Sequence, residues 1–118
     1  MDFGVLFRKP VFPVIGLGGD VLFSAPGLKT LAPILVGLAP SAGEDIIKLV
    51  HSTGEEFWYS PEQRVLSPGF MGRRWAKRQI LDLYNSHIGT DRGYSVRSLS
   101  NKRLSVIVAE ISALIRTL

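Results

Sequence analysis

Proline and glycine interrupt the first third of this chain so often that no long helix or strand can form there. Seven of the twelve glycines and five of the seven prolines precede Glu44. The breaks leave three short runs, at residues 3–7, 11–17 and 21–23, whose β-branched and aromatic side chains favour strands. Pro13 lies within the second run and lacks the N–H that a central strand needs, so we expect that strand to lie at a sheet edge or to be interrupted.

A leucine pattern follows these strands and has the period of a helix. Leu28, Leu31, Leu35 and Leu38 fall on one helical face. Pro33 lies among them, and because proline removes one helical hydrogen bond and clashes with the preceding turn, the helix is predicted to be short or broken.

Tight-turn signals divide the next part of the chain, residues 45–67, into short strands. A Ser-Thr-Gly cluster at 52–54 and a Pro-Glu-Gln turn at 61–63 are typical of connections between antiparallel neighbours. The strands that they separate are, in order, 46–50, 56–60 and 64–66. This pattern predicts an antiparallel meander.

The remainder of the chain has helical periodicity. Ala76, Ile80, Leu83 and Tyr84 share one face of a helix predicted over about 72–87. A second helix is predicted over 101–118, with Ser100 or Asn101 as its N-cap. Its apolar stripe consists of Leu104, Ile107, Val108, Ile111, Leu114, Ile115 and Leu118, and we expect this stripe to be packed to its last residue.

Strands followed by helices are typical of an α+β fold. We therefore expect one α+β domain over residues 1–118, in which a small antiparallel sheet is packed by the two C-terminal helices on one face. A chain of 118 residues buries enough surface for a core of its own.

Several classes of chemistry are excluded or disfavoured by the residue types. The chain has no cysteine, and His51 and His87 lack the spacing of metal ligands. No serine lies in a nucleophile elbow, and the Gly16–Asp20 cluster lacks the third glycine of a dinucleotide loop. We therefore predict no catalytic residue, no metal and no cofactor.

The hydropathy pattern indicates the cellular compartment of the protein. No apolar run reaches the length of a membrane span. Asp20 interrupts the one apolar stretch that resembles a signal peptide, and Pro26 would follow its cleavage site. The sequence thus predicts a cytoplasmic protein.

Charge is divided unequally along the chain. Residues 1–62 carry a net charge of −3, whereas residues 63–118 carry +7. The candidate anion-binding residues fall in two groups within the second part: Arg73, Arg74, Lys77 and Arg78 on the predicted helix, and Arg92, Arg97, Lys102 and Arg103 after it. Cations at the start of a helix repel one another and oppose its dipole, so the first group indicates either a compensating anion or a basic face that is simply solvated. That anion is internal (Glu44, Asp45, Glu55 or Glu56) or external (phosphate, nucleic acid or an acidic protein).

Aromatic residues provide the second set of candidates. Trp58, Trp75 and Tyr94 are candidates for a protein interface. Trp75 or Tyr94 also suits stacking on a base, and the strand that contains Trp58 is alternatively covered by the core or a helix. The charge-poor start of the chain and the aromatic strand predict a non-enzymatic binding or regulatory module that acts by protein–protein contact and self-associates. Binding of nucleic acid or a phosphate ligand through residues 73–103 is the alternative.

Overall fold

The computed structural model describes residues 3–88, 94 and 97–117, with only the backbone described at 88, 98 and 99. Six strands form one sheet in the order β1-β6-β5-β4-β2-β3. The elements along the chain are β1 (Gly4–Val5), β2 (Val14–Gly18), β3 (Val21–Ala25), α1 (Leu28–Val36), β4 (Ile47–His51), β5 (Glu56–Ser60), β6 (Val65–Pro68), α2 (Lys77–Ile88), α3 (Ser98–Asn101) and α4 (Leu104–Arg116).

The sheet has the predicted α+β character. Strands β4, β5 and β6 form the predicted antiparallel meander, and β2 pairs with β3 through a two-residue turn in which Gly19 has φ +60°. The sheet is mixed rather than wholly antiparallel, because the edge strand β1 runs parallel to β6.

Pro13 interrupts the second predicted strand. Strand β2 begins at Val14, directly after Pro13, and the Phe12–Pro13 peptide is cis. The sequence predicted an edge position or an interruption, and the structure shows the interruption, since β2 begins only after Pro13. The strand itself lies inside the sheet, between β4 and β3. Pro33 lies inside α1, which is short, at nine residues.

Helices cover both faces of the sheet, whereas the sequence predicted one covered face. On the first face, Leu31 and Leu35 of α1 pack against a core that includes Val14, Leu49 and Phe57. On the second face, α4 packs on β2 and β3, and α2 packs on α4. The physical reason is the strand pattern: neighbours in β2 and β3 are apolar on both faces, so both faces need a cover.

The C-terminal helices begin later than predicted. Helix α2 starts at Lys77, and α4 starts at Leu104 after the short α3. Ser100 and Asn101 lie in α3, so their predicted N-cap role is wrong; Arg103 occupies that position, and among the described residues no side-chain hydrogen bond caps it. The predicted stripe is buried at Ile107, Val108, Ile111 and Ile115, half-buried at Leu104 and exposed at Leu114; Leu118 lies outside the described residues.

Candidate interaction surface

The structure separates the four cations that the sequence places on one helix. Arg73 and Arg74 lie in an extended segment before α2, which pairs with residues 54–56 beside β5. The Glu56 N–H donates to the Arg73 carbonyl at 3.0 Å, and the Trp75 N–H donates to the Gly54 carbonyl at 2.7 Å. The helix predicted from 72 is therefore wrong up to residue 76, because this pairing satisfies backbone groups that a helix would use.

The arginines of this group make few contacts with carboxylates, although the charge of Arg74 helps to lower the pKa of Glu55 after the larger effect of Arg8. Arg74 donates to the Thr53 carbonyl at 3.3 Å, and Arg78 pairs with Asp82 at 3.5 Å on the exposed side of α2. Within the described part of the chain, no ion pair joins Arg73, Arg74 or Arg78 to the carboxylates that the sequence proposed, which are Glu44, Asp45, Glu55 and Glu56. Arg73, Arg74 and Arg78 are exposed.

The second group of cations is dispersed. Lys102 donates to both oxygens of Glu110, at 2.7 and 3.0 Å, and Tyr94 also donates to Glu110. The hydrogen bond to Glu110 raises the pKa of Lys102, and the same bond lowers the pKa of Glu110. Lys102 and Tyr94, which precede α4 in the chain, are thus hydrogen-bonded to Glu110 within that helix. Arg97 and Arg103 are exposed. Arg92 lies outside the described residues.

Both tryptophans bind one buried carboxylate. Glu56 is 2% exposed, and its two oxygens accept hydrogen bonds from the indole N–H groups of Trp58 at 2.6 Å and Trp75 at 2.8 Å. Phe70 packs edge-on against Trp58 with ring centroids 5.3 Å apart, and the Lys48 ammonium lies 6.0 Å from the Trp58 ring centroid. The carboxylate therefore fixes the orientation of both half-buried indoles.

Three distant segments meet at one end of the sheet, where β1, β4 and β6 end and β2 and β5 begin. We call this surface the basic end and define it by residues 6–13, 51–55 and 69–76. Arg8 forms a bidentate pair with Glu55, which lowers the pKa of that carboxyl, chiefly through the hydrogen bond. The Ser52 N–H donates to the Val11 carbonyl at 3.0 Å and joins the first segment to the second.

His51 is the buried centre of this junction, with 2% exposure. Its Nδ1 accepts the Val11 N–H at 2.6 Å, so the proton of the neutral ring resides on Nε2, which faces Thr53 Oγ1 at 2.7 Å and Glu55 Oε1 at 3.3 Å. Burial lowers the pKa of His51 and outweighs the opposing effect of Glu55. Because Nε2 is the donor, His51 cannot take the proton of Thr53, and these side chains form a structural link rather than an activated nucleophile.

Phe7 occupies an unusual position at the edge of the basic end. It has φ +68°, and the Arg8 N–H donates to the Leu6 carbonyl at 2.8 Å across it. These values describe a γ-turn with positive φ at its centre, a rare and strained conformation for a bulky residue. The side chain is 84% exposed, so no packing inside the fold accounts for the strain.

Further bulky apolar side chains are exposed at the same end. Phe70 and Met71 are each 80% exposed in the turn that follows β6. Exposed cations, Lys9 and Arg73, lie in the same segments as these apolar residues. The basic end therefore combines uncovered apolar side chains with positive charge, which is the composition of a contact surface.

The opposite end of the sheet carries negative charge. We call it the acidic end and define it by the turns at 19–20, 41–46 and 61–64. Its exposed carboxylates are Asp20, Glu44, Asp45 and Glu62, with Arg64 as its one cation. A cavity of about 210 Å³ adjoins this end on the second face. It is lined by Leu17, Ser41, Glu44, Ile46 and Lys48, together with Leu83 of α2 and Trp75 from the segment before α2.

Sequence reasoning missed most of the basic end. It offered Glu55 and Glu56 only as internal alternatives to an external anion for the cations of residues 73–78, and it did not select Phe7, Arg8 or His51 as site residues. No local signal marks these residues, since Arg8 lies 47 positions from Glu55 and Val11 lies 40 from His51. Trp75 was selected as a candidate interface aromatic, and its hydrogen-bond partner Glu56 could not be identified from sequence spacing.

Two further features of the described residues concern membranes and metals. No helix among them is both long and apolar enough to span a bilayer. The same part of the chain contains no group of three potential metal ligands. Comparison with protein-family models, with curated proteins and with solved structures finds no match to this chain.

Proposed function

We propose that this chain is a small non-enzymatic module that acts by protein–protein contact and that the protein it contacts is a second copy of itself. The observation that carries the proposal is the exposure of Phe7, Phe70 and Met71 at the basic end, each at 80% or more. Apolar side chains of this size are rarely left together in solvent without a partner. On the sequence argument from Asp20 and Pro26, we place the module in the cytoplasm.

The apolar residues supply the affinity and the charges supply the orientation. Covering a Phe or Met side chain contributes roughly 1.5–3 kcal/mol, whereas an exposed ion pair contributes about 0–1 kcal/mol. Cations such as Lys9 and Arg73 therefore act mainly on the association rate and on the choice of partner.

The buried polar groups support a non-enzymatic role. His51 and Glu56 are the buried side chains best suited to acid–base chemistry, and both have their polar atoms engaged by fixed partners. A general base needs a free lone pair within reach of a substrate proton. Both residues instead hold the chain segments of the basic end together.

Two of the three candidate aromatic residues are engaged by contacts within the fold, which favours protein contact over nucleic-acid binding. Trp58 is held by Glu56 and packed against Phe70, and Tyr94 is bonded to Glu110 beneath Lys102. Stacking on a base requires an open ring face. Phosphate contacts, in addition, do not explain bulky apolar groups such as Phe7 and Met71 in solvent.

Sedimentation velocity over a series of protein concentrations tests the proposal. We expect a concentration-dependent shift from monomer to larger species. Sedimentation as a monomer at high micromolar concentration would contradict self-association. Parallel titration with duplex and single-stranded oligonucleotides at two salt concentrations covers the alternative: binding that weakens with salt, with a slope near −0.9 per phosphate on duplex DNA, and no self-association would favour a nucleic-acid function.

A further inference from the structure

We infer that copies of this chain join head to tail: the basic end of one copy, with Phe7 as its anchor, binds the cavity at the acidic end of the next copy. The inference rests on the proposed self-association and specifies which surfaces meet. It is carried by three features of the described residues, namely the conformation of Phe7, the cavity beside Trp75 and the charges around each.

The conformation of Phe7 identifies it as the anchor. A positive φ of 68° is unfavourable for a side chain of this size, and solvent surrounds most of the ring. Because packing within the fold does not offset the backbone strain at Phe7, the strained turn points to a role outside the folded monomer. Asparagine or glycine would make this turn more easily, and neither would present an aromatic ring.

The cavity at the acidic end has the size and lining to receive that ring. Its volume is about 210 Å³, and an apolar cavity of about 150 Å³ is large enough to hold benzene. Leu17, Ile46 and Leu83 provide apolar walls, and the Trp75 indole is fixed by Glu56. Ser41, Glu44 and Lys48 complete the lining, so the site has apolar walls beside polar groups. A preformed site of this kind loses little freedom when it is filled.

The charges favour a head-to-tail contact over a two-fold contact. The basic end contains Arg8, Lys9, Arg73 and Arg74 with Glu55 and the buried Glu56 as its carboxylates, so it is positive. A two-fold contact between two basic ends would bring like charges together. The acidic end instead offers the exposed carboxylates Asp20, Glu44, Asp45 and Glu62, which outnumber Arg64 and the cavity-lining Lys48. A contact between unlike surfaces leaves one free end on each copy and produces rings or open chains.

A mixing experiment tests the inference with one variant for each surface. Phe7→Asn removes the anchor and suits the backbone conformation, so the fold is retained. Ser41→Trp fills the cavity. We expect each variant alone to sediment as a monomer at concentrations where the unaltered chain associates, with association weakened by at least about tenfold. An equimolar mixture should form a one-to-one dimer that does not extend, because each variant keeps one intact surface.

Matched controls separate the contact from effects on folding. Ala113→Trp places the same side chain on an exposed residue of α4, outside the residues that define either end and outside the cavity lining, and Leu114→Asn removes an exposed apolar residue from α4. Both should associate like the unaltered chain. Glu44→Lys, an exposed change at the cavity rim, replaces Ser41→Trp should that variant fail to fold.

The outcomes distinguish this inference from the proposed function. If the unaltered chain associates while the mixture stays monomeric, or while Phe7→Asn associates normally, head-to-tail contact is wrong and self-association stands. If the unaltered chain is monomeric throughout, both are wrong.

Discussion

The two ends of the same sheet are built in different ways. The acidic end consists of turns that connect neighbours in the chain, such as the two-residue turn at 19–20, and its exposed carboxylates make no contact that holds distant segments together among the described ion pairs. The basic end joins three segments through side chains, including Arg8 with Glu55 and the Val11 N–H with His51.

This difference separates what the two ends contribute. At the basic end the residues that hold the fold together lie beside those that we assign to contact, so substitutions there should affect stability. At the acidic end the exposed charges and the cavity rim can change with little effect on folding. The comparison therefore predicts an asymmetry between matched substitutions.

The largest difference is expected between two glutamates. Glu56→Ala removes the acceptor of both indole N–H groups and leaves two donors without their partner in a largely buried site. We expect the free energy of unfolding to fall by about 3 kcal/mol, since hydrogen bonds to charged groups contribute roughly 1.5–3 kcal/mol each. The exposed Glu44→Ala at the acidic end should change it by less than about 0.5 kcal/mol. Urea denaturation of both variants measures the free energy of unfolding. Equal losses in the two variants would contradict the predicted difference between the two ends of the sheet.

Two glycines with positive φ make the same comparison on the backbone. At Gly54 (φ +90°) a Cβ would lie 2.5 Å from Leu104 Cδ2 and 3.1 Å from the Trp75 carbonyl oxygen. Gly54→Ala should therefore destabilise by about 2–3 kcal/mol through strain and overpacking. At Gly43 (φ +82°) no described atom lies within 4 Å of that Cβ, so Gly43→Ala should show strain alone, about 1 kcal/mol. Thermal melts measure this, and a lower melting temperature for Gly43→Ala than for Gly54→Ala would contradict the prediction.

The buried His51 should make the stability of the fold depend on pH. Burial lowers its pKa in the folded state, so the unfolded chain, with a pKa of about 6.5, binds more protons as the pH falls below that value. Stability should then decrease from about pH 7.5 to about pH 5.5. His51→Asn keeps an acceptor for Val11 and should reduce the decrease, whereas His87→Asn, an exposed control, should retain it. Denaturant titrations at the two pH values measure the decrease in the free energy of unfolding. A decrease in His51→Asn as large as in the unaltered chain would contradict the assignment of this pH dependence to His51.

The smallest effect is expected for the arginines near the start of α2. The Arg78–Asp82 pair is exposed, and the Arg74 bond to Thr53 is long at 3.3 Å. The double variant Arg74→Gln with Arg78→Gln should change the free energy of unfolding by less than about 0.5 kcal/mol. Melting in low and in high salt checks this. A loss above about 1 kcal/mol that disappears in high salt would show that these arginines pair internally.

The acidic end and the basic end also differ in how far sequence predicts them. Strand β5 was predicted at its observed bounds, 56–60, and the turn at 61–63 was predicted from Pro61, because both depend on neighbouring residues. The buried stripe of α4 follows from its period alone. Local chemistry thus accounts for most of the strands and for the turns of the acidic end.

The remaining features depend on partners far apart in the chain. The start of α2 was misplaced because residues 73–75 pair with 54–56, and this pairing overrides helix propensity. The parallel pairing of β1 with β6 joins residues about sixty positions apart. The exposure of Phe7 and its strained turn are conformational facts that no spacing reveals.

The central claim is that Phe7 serves association rather than folding. Sedimentation equilibrium of the unaltered chain and of Phe7→Asn, with the unfolding free energy measured on the same samples, tests it most directly. We predict that the Kd of self-association rises at least about tenfold while the unfolding free energy stays equal or increases, because asparagine relieves the turn at φ 68°. An unchanged Kd together with a less stable fold would show that Phe7 acts in folding and would contradict the claim.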